Sequence, residues 1–360
     1  MKNVQRALFF NRLYDNKAHF PFTGQIELTY RCNLDCVHCY CKGLEQRELT
    51  TDEWKKILNI LQEEGCVSLC FTGGDPLIRK DFLEIYSYAK AKGFIITIFT
   101  NGQALTPKLV DYFVNYSPFS IEITLNGITK ETYESITQTP GSFLKVMRAI
   151  NLLKEKKLPF IVKTNCLKQN KQEIGGIKSF TEGLFDNPPG SKFRFKYDLL
   201  IYPRQNGDKT PCDYRLSFKE IGEVRKQDPD IWKEYQRSLD CKFPRLRKNN
   251  FLYHCDAWQH QFFINPYGWL KFCQMTDKFS IDLKTTGFKE GFYTIFPKLL
   301  HEKFKTKSKC EDCNLRRICY RCPAKAYLET GDEEAPVPYF CELAKGTYRE
   351  IKRARNGIIV

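Results

Sequence analysis

The chain has no apolar run that approaches the length of a membrane-spanning helix. Residues 1–20 hold only the short run "ALFF" inside a basic stretch, too little for the core of a signal peptide. Both absences lead to the expectation of a cytoplasmic protein with no membrane partner, in a compartment where thiols stay reduced. There is no low-complexity tract, and no repeat beyond an alternation of strand-like and helix-like segments. Acidic residues are in short supply: 42 against 57 basic ones give a formal net charge of +15. The excess is scattered, as in "KEKK" at 154–157, "RLRK" at 245–248 and "KFKTKSK" at 303–309. Such runs read as solvated faces, so nucleic acid is not an expected partner.

Cysteine is abundant, with 16 among 360 residues. In a reducing compartment, clustered thiols point to metal binding or catalysis rather than disulfides. Single cysteines are more simply small buried hydrophobes.

After residue 23 strand-like and helix-like patterns alternate. The strands read as "GQIELTY", "CVSLCFT", "FIITIFT", "FSIEITL", "PFIVKTN" and "KFRFKYDLL". Between them lie amphipathic segments such as "TTDEWKKILNILQEEG", where Thr50 and Glu53 form a capping-box pattern. Such alternation predicts an α/β fold with a parallel sheet, and six units fit a partial (β/α)6 barrel better than a closed eightfold one. The rhythm breaks near residue 201. A helical stretch over 217–237 follows, and "FFINPYGWLKFC" reads as a hairpin turning at Pro266 to Gly268. The predicted organisation is an N-terminal extension (1–23), a barrel (24–200), a linker with helices (201–254), a Cys-rich domain (255–345) and a tail (346–360).

The densest thiol cluster, "RCNLDCVHCYC" at 31–41, follows the first strand. Functional residues of parallel α/β folds gather there, where strands end and loops begin. Cys32, Cys36 and Cys39 suit either zinc or an iron–sulfur cluster. A structural zinc site needs four ligands, and Cys41 lies too near Cys39 to serve readily. A cubane cluster on three thiolates leaves one iron open. Later strands end in "TGGDP" (72–76), "TNG" (100–102), "TLNG" (124–127) and "KTN" (163–165). Taken singly, each is an ordinary turn.

Taken together, Cys32-x3-Cys36-x2-Cys39 and the glycine pair at Gly73 and Gly74 resemble the radical S-adenosylmethionine enzymes. The resemblance implies that the three cysteines hold a [4Fe–4S] cluster whose free iron binds S-adenosylmethionine. Its reductive cleavage gives methionine and a 5′-deoxyadenosyl radical that takes hydrogen from the substrate. The "GGDP" segment, Gly73, Gly74, Asp75 and Pro76, stands where the family has GGEP, which implies a contact to the methionine ammonium group. By the same resemblance Thr100, Asn101, Thr124, Asn126 and Lys163 surround the ribose and methionine, and His38 takes the usually aromatic position near the adenine.

The C-terminal order Cys255, Cys273, Cys310-x2-Cys313-x5-Cys319-x2-Cys322, Cys341 resembles the SPASM extension, which binds auxiliary clusters. The resemblance assigns Cys310, Cys313, Cys319 and Cys341 to an outer [4Fe–4S] cluster and Cys255, Cys273 and Cys322 to an inner one, three clusters in all. "CYRC" is one residue shorter than the usual spacing. The inner cluster's fourth position is either open or closed by a linker cysteine such as Cys241. Cys66 and Cys70 are expected in the core, Cys212 in the linker, and Cys166 either at the barrel mouth or packed away. Paired zinc sites are the alternative for this region.

The resemblance implies a peptide or protein substrate, with thioether or carbon–carbon crosslinking, or epimerisation, during ribosomal peptide maturation. An electron donor such as flavodoxin or ferredoxin is implied too. Because the barrel begins by about residue 24, either a separate leader-peptide-binding protein or direct recognition by the basic surface is expected. The rival readings are action on a cofactor precursor, a sulfatase-maturase-like oxidation of a protein side chain, and an iron–sulfur electron carrier without catalysis.

Overall fold

A computed structural model of the protein describes residues 19–185, 194–240, 251–255 and 259–355. Cys241 lies outside the described residues.

Six strands form the barrel wall: β1 (Thr23–Thr29), β2 (Ser68–Gly73), β3 (Ile95–Thr100), β4 (Ser120–Thr124), β5 (Phe160–Asn165) and β6 (Phe195–Asp198). Neighbours pair in parallel in the order β6-β5-β4-β3-β2-β1. The crossovers carry α1 (Thr51–Glu63), α2 (Phe82–Ala91), α3 (Pro107–Asn115), α4 (Lys130–Thr137), α5 (Ser142–Glu155) and α6 (Ile174–Glu182). The capping box forms as the sequence predicts: Glu53 N donates to Thr50 Oγ1 at 3.3 Å, and Thr50 N donates to Glu53 Oε2 at 2.7 Å. Trp54, Ile57, Leu58 and Leu61 of α1 are buried on one face. Each such side chain contributes about 1.5–3 kcal/mol by leaving water.

Alternation along the strands separates two environments. On β5, Phe160, Val162 and Thr164 are buried, while Ile161, Lys163 and Asn165 between them stay partly accessible. The apolar set joins a core shared with the helices, including Ile26, Leu69, Phe71, Ile96, Ile98, Ile121 and Ile123. The alternate set leaves polar side chains along the barrel interior.

Two local readings are corrected. The helical stretch over 217–237 is two helices, α7 (Phe218–Lys226) and α8 (Pro229–Asp240). Pro229 has no N–H to continue the first, and Asp228 Oδ1 accepts from Asp230 N (3.1 Å) and Ile231 N (3.2 Å), capping the second. Helix α4, "KETYESIT", does not appear among the predicted helices. It is short and polar, with Tyr133 and Ile136 its only large buried side chains.

The hairpin is present as β7 (Gln261–Ile264) and β8 (Trp269–Lys271), and β9 (Ile281–Asp282) follows. Gly268 takes φ +89°, which favours glycine at this turn. β7 pairs in parallel with β1, from Thr23↔Gln261 to Ile26↔Ile264. One nine-stranded sheet therefore runs from the barrel into the Cys-rich region. It is open: among the described residues β6 and β9 are its two edges, so the barrel is partial. Helices α9 (Phe296–Leu300), α10 (Pro323–Thr330) and α11 (Pro338–Arg355) follow among the described residues. No described helix is long and apolar enough to cross a membrane.

Candidate active site

The loop after β1 is pinned at both ends of its thiol cluster. Asp35 N and Val37 N donate to Thr137 O and Ile136 O, each at 3.0 Å, so the end of α4 carries the loop. Cys39 N donates to Cys36 O at 3.1 Å and closes a turn. On the other side lies the glycine pair. A Cβ on Gly73 would stand 2.1 Å from Thr29 O, and one on Gly74 would stand 2.1 Å from Arg31 O. Only glycine lets β2 end so close to the loop backbone. Gly74 N donates to Thr29 O at 2.7 Å and Asp75 N to Arg31 O at 3.0 Å, which locks the contact.

Asp75 is fully buried. Its Oδ1 accepts from Leu77 N (2.9 Å), and its Oδ2 accepts from Thr100 Oγ1 (2.8 Å) and Asn101 N (2.9 Å). Burial raises its carboxyl, and the donors from Asn101, Thr100 and Leu77 pull it back. The carboxylate thus braces the ends of β2 and β3 behind the cavity wall, with Pro76 starting the short turn beside it. Asn101 Nδ2 approaches Cys32 Sγ at 3.4 Å.

These elements surround a cavity of about 550 Å³ at the barrel mouth. Cys32, Cys36, His38, Cys39, Gly73, Gly74, Thr100, Asn101, Thr124, Asn126 and Lys163 all line it, while Asp75 and Pro76 do not. The thiols come from the loop after β1, and polar strand ends supply much of the remaining lining. Burial pushes the Cys32 thiol up to about 11 and raises Cys36 as well. Cys39 is drawn down, chiefly by the Cys41 thiol at 3.8 Å. Burial lowers His38 to about 4, so a neutral ring faces the cavity. Its Nε2 lies 3.1 Å from Asn165 Nδ2, and its Nδ1 has no partner among the described residues. Lys163 Nζ lies 3.1 Å from the centre of the Phe99 ring. Burial lowers its ammonium to about 8, against the opposing pull of Glu122.

All seven C-terminal cysteines line a second cavity, of about 300 Å³. Cys273 follows β8, Cys322 caps the start of α10, and Cys341 sits in the first turn of α11. His254, Arg316 and Arg321 share the lining. Among the described residues no group of three or more His, Cys, Asp or Glu side chains is set to hold a single metal ion. The thiols instead border chambers wider than one ion.

The remaining cysteines fall elsewhere. Cys166 does not face the mouth: it is fully buried in the core, and its N–H donates to Asp198 O at 2.8 Å. Cys66 is buried just before β2. Cys70, on β2, is partly accessible, and burial pushes its thiol up to about 12 with Lys163, Glu122 and Lys196 nearby. Cys41 packs with Tyr30 and Tyr267.

Comparison with known proteins agrees with this architecture. Residues 26–180 match the Radical SAM superfamily. The AdoMet-dependent heme synthase of Methanosarcina barkeri is 26% identical over 336 residues, covering 87% of this chain and 94% of that one. The PqqA peptide cyclase of Bradyrhizobium diazoefficiens is 28% identical over 356 residues, covering 94% and 91%. Streptococcus suis SuiB, solved with S-adenosylmethionine, shares the fold at a TM-score of 0.65 and 16% identity, covering 92% of this chain and 80% of that one. The same protein bound to precursor peptide SuiA gives 0.66 and 16%, covering 90% and 77%. Residues 26–180 thus carry a Radical SAM superfamily domain, and the Cys-rich C-terminal segment fits an auxiliary-cluster domain.

Proposed function

We propose that this radical SAM enzyme modifies a peptide or protein, forming a thioether or carbon–carbon crosslink, or an epimer, in ribosomal peptide maturation. The observation that carries the reading is the similarity to a peptide cyclase along nearly the full length of both chains. Cys32, Cys36 and Cys39 would hold the active [4Fe–4S] cluster, since the cavity leaves room beyond the three thiols for a further ligand. When bound, the cluster and S-adenosylmethionine supply a one-electron cleavage that delivers a hydrogen-abstracting radical.

The chain's own residues bind and orient. Thr124 and Lys163 pair in register at the ends of β4 and β5 and both line the barrel cavity, so a hydroxyl and an ammonium would be on offer to the cofactor's carboxylate. Gly73 and Gly74 line the same cavity and would meet its ammonium through backbone carbonyls. Asn126 is held by Thr164 Oγ1 (3.2 Å) and Asn165 N (3.1 Å), which fixes the β4 end. Leu34, Tyr133 and Ile201 form apolar wall that limits water. In the C-terminal chamber, Cys310, Cys313, Cys319 and Cys341 would hold an outer cluster and Cys255, Cys273 and Cys322 an inner one. An external flavodoxin or ferredoxin would supply electrons, and a separate protein would present the leader peptide.

A second reading is action on a cofactor precursor, favoured by the heme synthase that the chain matches over 94% of its length. One assay separates the two. Anaerobic reconstitution should give about 12 iron atoms per chain, four for each cluster. Reduction with dithionite should then yield 5′-deoxyadenosine, and a short peptide encoded beside this reading frame should raise the yield where an iron porphyrin precursor does not. Stimulation by the porphyrin alone would favour the second reading. Zinc with little iron would remove both.

A further inference from the structure

A hydrogen-bonded connection joins the two cysteine-lined chambers, and a carboxylate stands at its centre. Glu27, on β1, is 1% exposed. Its Oε1 accepts from Tyr40 OH and from Gln274 Nε2, each at 2.7 Å, and its Oε2 accepts from Tyr30 OH at 2.7 Å. Tyr40 directly follows Cys39, which lines the barrel chamber. Gln274 directly follows Cys273, which lines the C-terminal chamber. The path from one thiol set to the other therefore runs through covalent bonds and two hydrogen bonds that meet on one oxygen atom.

Glu27 is also uncompensated. None of the ion pairs among the described residues involves it, and its three partners are neutral hydroxyl and amide donors. A carboxylate buried away from any cation is costly unless hydrogen bonds satisfy it, and here three donors converge on its two oxygens. The tyrosines and the glutamine fix its position: Tyr30 OH also reaches Gln205 Oε1 at 3.0 Å, and Gln205 N donates to Tyr40 O at 2.8 Å. Reduction of an iron–sulfur cluster adds negative charge, and a nearby fixed anion opposes it.

We propose that Glu27 is a positioning residue shared by two centres: its negative charge, hydrogen-bonded by both Tyr40 and Gln274, lowers the reduction potential of both the radical cluster and the inner auxiliary cluster. The proposal rests on the cluster assignment above and adds to it a residue that touches neither cluster.

The test is an EPR-monitored redox titration of the anaerobically reconstituted full chain, with iron counted in parallel. Addition of S-adenosylmethionine marks which signal belongs to the barrel chamber. Glu27→Gln keeps the shape and removes the charge. It should leave iron content unchanged and favour reduction of both centres about tenfold, a positive shift of about 59 mV for a one-electron couple. Glu27→Asp, which restores the charge, should return both potentials toward the parent. Tyr40→Phe should shift mainly the barrel centre, and Gln274→Leu mainly the auxiliary centre. Unchanged potentials in an iron-replete Glu27→Gln protein would overturn the junction and leave the cluster reading intact. A shift confined to one centre would overturn it equally. If Glu27→Gln fails to take up iron, the selective pair decides: shifts in neither Tyr40→Phe nor Gln274→Leu would overturn the proposal. A parent protein without iron would remove the cluster reading and this inference together.

Discussion

The barrel chamber and the C-terminal chamber are both lined by cysteine, yet they are built differently. The first has three motif thiols in the lining of a cavity of about 550 Å³, and polar strand ends supply much of the rest. The second gathers seven thiols around about 300 Å³, contributed largely by loops and helix starts. One has room for a ligand beyond its thiols, supported by regular sheet. The other is bordered by thiols drawn from several separate segments, from Cys255 to Cys341. A metal in the first should therefore govern chemistry, and a metal in the second should also govern folding.

The largest expected effect tests that division directly. Joint replacement of Cys32, Cys36 and Cys39 by Ala should abolish 5′-deoxyadenosine formation while about two thirds of the iron survives. Its melting temperature should stay within a few degrees of the parent. Joint replacement of Cys310 and Cys313 by Ala should instead lower the melting temperature by about 10 °C, because metal binding there is coupled to folding. Cleavage surviving in the first variant would place the active cluster elsewhere.

A glycine pair sharpens the contrast. Gly74→Ala would drive a Cβ to 2.1 Å from Arg31 O and 2.7 Å from Tyr30 O, both backbone atoms that cannot move without the cysteine loop. It should cost about 3 kcal/mol or more in chemical denaturation and lower iron at the barrel site. Gly331 has φ +78° after α10 but nothing within 4 Å of an added Cβ. Gly331→Ala should therefore cost only about 1–2 kcal/mol, with iron content unchanged. Equal losses of iron would mean that the barrel loop is not held by the close approach.

Asp75→Ala follows in size. It leaves the donors of Thr100, Asn101 and Leu77 without their acceptor and should cost about 2–3 kcal/mol. S-adenosylmethionine affinity should fall through displacement of Asn101, and Asp75→Asn, which keeps an acceptor, should recover part of it in equilibrium binding. Full affinity in Asp75→Ala would show that the brace is not needed.

The smallest effect is a pH dependence. Lys163, lowered to about 8 by burial, is charged below that value and neutral above it. If its charge meets the cofactor carboxylate, S-adenosylmethionine should bind tightest below pH 8 and weaken as pH rises through it. Isothermal titration should show this slope in the parent and lose it in Lys163→Met.

Much of this was legible beforehand. Strand alternation, the capping box at Thr50 and Glu53 and the turn at Gly268 are local, and each appears where it was expected. Helix α4 was missed because eight polar-rich residues carry too little periodicity, although it anchors the cysteine loop through Thr137 O and Ile136 O. The burial of Cys166 was equally hidden, since a strand end can turn a thiol toward either the mouth or the helices.

The sequence by itself determined the chemistry on offer: thiol spacing, the glycine pair and the parallel alternation depend on neighbours a few residues apart, which covalent geometry fixes. Only the tertiary structure decided how distant pieces meet. It set β7 against β1 across more than 200 residues, turned Asp75 inward as a brace, and brought Gln274 to Glu27 and Tyr40. Those contacts depend on packing and on the satisfaction of buried polar groups, which emerge only when the sheet is assembled.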